Sequence, residues 1–179
     1  MIFEGAETFR VGLTNATNGA LIISTNSGRA TGTIVDDGRD ISGVPADDDR
    51  TVTVTAYGPV NEASAYAMFK VDATPGYAMD LALQAATSGT AATISGFTFE
   101  FSVNGGSSWT TYDATHKPTV PAGGTFFVRV TMTGEVDTTF EGAETFALKA
   151  SYSTNTAKSA AADTSIVDDN TGTKYDGTL

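Results

Sequence analysis

Cysteine is absent from all 179 residues, so the chain can build neither a disulfide framework nor a thiolate metal site. Histidine occurs once, at His116 just before Pro118, which leaves no second imidazole around which a His-based site could be assembled. No apolar run approaches the eighteen or so residues of a membrane span, and no basic-then-apolar stretch at the N-terminus reads as a signal peptide. Basic residues are scarce, 10 Lys and Arg against 21 Asp and Glu, for a formal charge of −11. That sign repels phosphate backbones and anionic lipid, which argues against nucleic acid and membrane insertion, and it attracts cations. A P-loop, GxSxG or GxGxxG in strand–helix context is missing as well, so a non-enzymatic protein with no catalytic residues is expected.

What the sequence does contain is alternation. "TVTVTAY" (51–57), "AMFKVDA" (67–73), "MDLALQ" (79–84), "TFFVRVTM" (125–132) and "ETFALKA" (144–150) each place apolar residues on one side of an extended chain. "FTFEFSV" puts Phe97, Phe99, Phe101 and Val103 on one face and Thr98, Glu100 and Ser102 on the other. Helical periodicity is missing, and "NEASAYAMF" is the nearest approach to it. Seven or more short strands punctuated by Gly, Pro and Asn predict an all-β, antiparallel Greek-key β-sandwich of Ig-like type. Between Asp36 and Arg50, "DDGRDISGVPADDDR" offers almost nothing to bury, which marks residues 39–50 as an acidic linker. Residues 51–170 then form one complete domain, and 171–179 begin another linker.

"FEGAETF" occurs at Phe3–Phe9 and again at Phe140–Phe146, and each copy leads on to "IVDD". The first block repeats at an offset of 137 and the second at 132, so the length difference falls in the loop between two strands, where it is cheap. After each Glu an alternating strand follows: Phe9, Val11 and Leu13, then Phe146, Leu148 and Ala150. Residues 1–38 therefore read as the C-terminal strands of a preceding or neighbouring-subunit repeat, and the chain as part of a tandem array. Such strands would pair with a neighbouring copy or subunit, head to tail, in a stalk or a filament.

These blocks, with "VNEASAYAMFKV" and "VPAGGTFFVRV", resemble the Calx-β domain in the form found as tandem repeats of large bacterial surface and secreted proteins. The resemblance spans 51–170 and, as a C-terminal portion, 1–38. It implies a calcium-binding, extracellular adhesive or structural repeat. It also implies candidate Ca2+ ligands at Glu62, Asp137, Glu141, Asp168 and Asp169, with Glu4, Asp36 and Asp37 as their counterparts in the preceding repeat. Calcium takes six to eight oxygens, which loops at one end of a sandwich can supply from distant positions. Where many members of that family carry an Asp-Tyr, "SGTAATISGF" has no acid, which implies fewer ions, weaker binding, or compensation by linker residues such as Asp47, Asp48 and Asp49. Glu144, beside the strand, reads as a solvating residue.

A second reading is a carbohydrate-binding module that attaches to a glycan surface, with Tyr57, Tyr77 and Tyr112 as stacking residues; a surface protein ligand is the other possible target. "SVNGGSSW" (102–109) resembles the Asp-box hairpin of sialidases, with Asn104 for Asp, but a single copy reads as a tight turn at Asn104-Gly105-Gly106 with Trp109 packed on the sheet.

Overall fold

A computed structural model describes residues 7–13, 29–34, 50–85, 89–132, 135 and 142–176. The chain divides into two compact units, Met1–Asp49 and Arg50–Leu179. The regular structure of the described residues is nearly all strand, without an α-helix, and no helix among them is long and apolar enough to cross a membrane.

In the first unit, β1 (Glu7–Gly12) and β2 (Arg29–Ile34) pair antiparallel, from Glu7 opposite Ile34 to Gly12 opposite Arg29. Phe9, Val11 and Leu13 share one parity along the chain, as alternation requires. Nothing on this hairpin is fully buried.

The second unit begins with β3 (Val52–Ala56), β4 (Val60–Asn61), β5 (Tyr66–Ala73) and β6 (Met79–Ala85). It continues with β7 (Thr90–Ala91), a 3-10 turn at Ile94–Gly96, β8 (Thr98–Ser102) and β9 (Thr110–Thr111). It ends with β10 (Thr125–Thr131), β11 (Glu144–Tyr152) and β12 (Asn155–Val167). One sheet has the order β3-β5-β10-β8-β9 and the other β4-β12-β11-β6, with β7 added beside β11. All pairings are antiparallel except β7 on β11 and β4 on β12. This is the β-sandwich that the alternating sequence predicts.

The core lies where the inward parities of both sheets meet. Phe69, Val71, Phe126, Val128 and Val130 come from the five-stranded sheet, and Met79, Phe146, Leu148 and Ala150 face them. Phe146 meets Phe69 and Phe97 edge-on, at centroid distances of 5.9 and 5.4 Å. Several residues depart from simple alternation. Met68 stands on the parity opposite Phe69 yet is buried, as are Ser102 beside Phe101 and Ala147 and Ser151 on β11, and Val103 is exposed because β8 stops at Ser102.

The expected turn at 104–106 closes β8 onto β9. Gly105 and Gly106 both take positive φ, and Asn104 Oδ1 accepts hydrogen bonds from the Ser108 N–H (3.0 Å) and the Ser102 hydroxyl (2.8 Å). Trp109 then lies against the Arg129 guanidinium, 4.4 Å from its ring centroid, and Tyr66 holds the same guanidinium at 4.4 Å. Arg129 Nε donates to Glu100 at 2.7 Å.

Arg50, which composition assigns to the linker, is buried. Its guanidinium sits over the rings of Tyr77 (4.7 Å) and Tyr152 (4.4 Å) and donates to Thr154 Oγ1 at 2.9 Å. At the other end, residues 171–176, read above as the start of a linker, lie along the sandwich. The Asn61 N–H donates to the Thr173 carbonyl and the Thr173 N–H to the Pro59 carbonyl, both at 3.0 Å. Tyr175 bridges to Tyr66, packs on the core, and donates its hydroxyl to the Tyr57 carbonyl at 2.9 Å. Gly172 makes this strap possible: its φ is +79°, and a Cβ there would lie 2.8 Å from Asn61 N and from Val167 Cγ2.

Candidate functional site

Three strand ends converge at one end of the β4-β12-β11-β6 sheet. Ile166 of β12 lies between Glu144 of β11 and Val60 of β4, so the residues just beyond are brought side by side. The Glu62 N–H donates to the Val167 carbonyl at 2.9 Å, which places the Glu62 backbone beside the step into Asp168. Glu62, Glu135, Glu144 and Asp168 line a small cleft there, together with Gly142 and Ile166. All four carboxylate residues are half-buried. They come from four separate segments, including the chain beyond β10, so the cleft exists only in the folded unit.

Of the sequence-predicted ligands, Glu62 and Asp168 line this cleft. Asp169 does not: its carboxylate accepts from the Thr171 hydroxyl and from the Thr171 N–H (2.9 Å), closing the turn that starts the strap. Those bonds, led by the Thr171 hydroxyl, hold the Asp169 carboxyl below the usual carboxylate range. Asp137, Glu141, Glu4, Asp36 and Asp37, with Asp47, Asp48 and Asp49, lie outside the described residues. Glu135 and Glu144 were not candidates in the sequence. Glu144 opens β11 on the same parity as Phe146, so it faces inward at the rim, and that parity is the signal that could have found it. Glu135, in a run without strand alternation, carried no such signal.

Carboxylate oxygens are hard donors of the kind that calcium prefers, and their mutual repulsion is relieved by a bound cation. Among the described residues, no three acidic or imidazole side chains stand close enough together to hold a metal ion as they are. A cation in this cleft would have to draw the carboxylates inward.

The remaining candidates are engaged in packing or turns. Tyr112 stacks on Phe99 at 4.8 Å and accepts from the Leu81 N–H, while Tyr77 meets Tyr152 edge-on. Tyr57 is exposed. His116 is an exposed loop residue whose Nδ1 lies 2.8 Å from Asp113, and the Asp113 carboxylate also accepts from Thr115 and the His116 N–H. Thr115 first and His116 second push the Asp113 carboxyl far below its ordinary value. This is a closed surface turn.

No family model matches the chain, and no curated protein matches it.

Proposed function

We propose that this chain is a non-enzymatic, extracellular structural or adhesive protein, made of Calx-β-like sandwich repeats that calcium stiffens within a stalk or filament. The observation that carries this reading is the cleft lined by Glu62, Glu135, Glu144 and Asp168 at the end of the second unit. Four residues from distant segments of an acidic chain bring carboxylate oxygens, the donors that calcium prefers, to one cleft. In the sequence, Asp137 and Glu141 fall between Glu135 and Gly142, which both line the cleft, and they remain the candidates for further oxygens. Residues 1–38 serve as the matching end of another repeat, pairing with a neighbouring subunit. With Tyr77 and Tyr112 committed to packing, the carbohydrate-binding alternative has little aromatic surface to use.

The test is isothermal titration of the full chain with CaCl2, paired with thermal unfolding in calcium and in chelator. Saturation at a hundred times Kd would add about 2.7 kcal/mol, a rise of several degrees in the melting midpoint. Glu62→Gln with Asp168→Asn should abolish that rise. Absence of both binding heat and midpoint shift in the wild-type chain would falsify the proposal.

A further inference from the structure

The turn between β8 and β9 contains a reactive pair. Asn104-Gly105 sets a side-chain amide before a residue without a Cβ, and Asn18-Gly19 is the other such pair in the sequence. An Asn-Gly step is labile because the glycine nitrogen reaches the asparagine Cγ unhindered and closes a five-membered imide ring, an intramolecular attack. Asn104 and Gly105 are both exposed, and a Cβ added at Gly105 would meet nothing within 4 Å. The Gly105 N–H, which is the attacking group, makes no hydrogen bond among the described residues.

The atoms under attack are held in place. Asn104 Oδ1 accepts from the Ser102 hydroxyl (2.8 Å) and the Ser108 N–H (3.0 Å), and Nδ2 donates to Ser108 Oγ at 2.8 Å. The Gly106 N–H donates to Ser102 Oγ at 2.9 Å, which leaves the hydroxyl proton for Asn104. Ser102 is buried, so its hydroxyl is a fixed donor. Two donors on one carbonyl oxygen favour attack at its carbon, because negative charge develops on that oxygen.

We infer that Asn104 is a self-modification site, which the folded turn converts to aspartate and isoaspartate. The Gly105 nitrogen gives its proton to hydroxide and bonds to Asn104 Cγ, and Oδ1 takes up the negative charge between its two donors. The Cγ–Nδ2 bond then breaks, and the nitrogen leaves as ammonia with a proton from water. Water opens the resulting succinimide at Cγ to give aspartate, or at the main-chain carbonyl carbon to give isoaspartate. Nothing is oxidised or reduced. The inference rests neither on calcium nor on the repeat reading.

The turn accommodates the first product. Aspartate keeps the oxygen that the Ser102 hydroxyl and Ser108 N–H bind, and Ser108 Oγ changes from acceptor to donor. The Asp-box hairpin that "SVNGGSSW" resembles has its acid at this position. Isoaspartate instead routes the main chain through Cγ and adds one carbon to the loop before Trp109. That shifts the indole from Arg129, which now lies 4.4 Å from its ring centroid. Both products add a negative charge to the turn.

The full chain and the capped peptide Ser102–Trp109 are incubated side by side at mildly alkaline pH, and peptide mapping reads the mass gain at Asn104 separately from Asn18. Asn104 in the folded chain should convert at least as fast as in the peptide, at a rate that rises with hydroxide. Isoaspartate should be detected by isoaspartyl methyltransferase labelling. Ser102→Ala, which removes one donor from Oδ1, should slow conversion roughly fivefold, the kinetic worth of one ordinary hydrogen bond. Slower conversion in the chain than in the peptide overturns the inference. So does faster conversion in Ser102→Ala than in the wild type, since either result makes the turn a guard of the amide. If Ser102→Ala loses the native Trp109 emission, the comparison of chain with peptide decides alone.

Discussion

Tyr152 is completely buried, yet its hydroxyl is fully used: it donates to the Thr51 carbonyl at 2.6 Å and accepts from the Thr74 N–H at 2.8 Å. The same ring carries the Arg50 guanidinium on its face. One side chain therefore joins the start of β3, the turn after β5 and the first residue of the unit. Tyr152→Phe keeps the ring and the cation contact but removes both hydroxyl bonds, leaving the Thr51 carbonyl and the Thr74 N–H only their own 3.2 Å bond to each other. The two lost hydrogen bonds cost about 0.5–1.5 kcal/mol each. Urea unfolding of the variant should show a lower midpoint with an unchanged m-value. A neutral result would mean that water replaces the hydroxyl. Gly172 is the second position where one residue decides local structure, since any Cβ there meets the backbone of β4.

At the scale of elements, ion pairs tie outward positions of strands to their neighbours. Lys117 reaches Asp80 of β6 at 2.6 Å, and Lys70 and Asp72 of β5 lie 2.8 Å apart. Lys117 holds the Asp80 carboxyl below its ordinary value, burial works against it, and the Ser153 hydroxyl adds to the lowering. Lys70, then the Thr125 hydroxyl, do the same for Asp72. A depressed folded-state pKa means that the unfolded chain binds more protons as the solution acidifies. The stabilisation is therefore complete above the unfolded carboxylate value of about 4 and is lost as pH falls through the folded values. The lysine partners are shifted upward, so their share is present below about 10.4 and lost only as pH rises through their folded values. Melting midpoints measured against pH should fall off below about pH 4, and Asp80→Asn should flatten part of that acid limb.

Elements were also the scale at which the sequence was most legible. Alternation in "TFFVRVT" and "ETFALKA" marks one inward face, so the core residues of β10 and β11 could be read directly, although Ala147 on the other face of β11 is buried as well. Asn104-Gly105-Gly106 announced the β8–β9 turn because positive φ there requires such residues. The strap at 171–176 could not be read, since polar "NTGTKYD" has no period and its docking depends on one glycine, one tyrosine and the Asn61 side chain on the Thr171 carbonyl. Arg50 was lost to its neighbours: three aspartates before it make the stretch look solvated, and only the fold reveals the two tyrosine rings that enclose it. The cleft was half legible. Glu62 and Asp168 followed from the repeat resemblance, whereas Glu135 joins them only through tertiary convergence.

Seen whole, the second unit begins and ends on the same side of its fold. β4, near its start, is flanked by two segments from its end, Ile166 of β12 on one side and Thr173 of the strap on the other, and both run parallel to it. Tension applied at Arg50 and at Asp176 would pull β4 backward and its two neighbours forward. The bonds from Asn61 to Thr173, Thr173 to Pro59 and Glu62 to Val167 would then be strained together in shear, not unzipped one after another. Single-molecule pulling between those ends should give one high-force rupture per unit. Gly172→Ala, by dislodging the strap, should lower the rupture force while leaving the β11–β12 pairing intact. For a chain proposed to serve in a stalk, the hold of β12 and the strap on β4 would then set how much pull each repeat withstands.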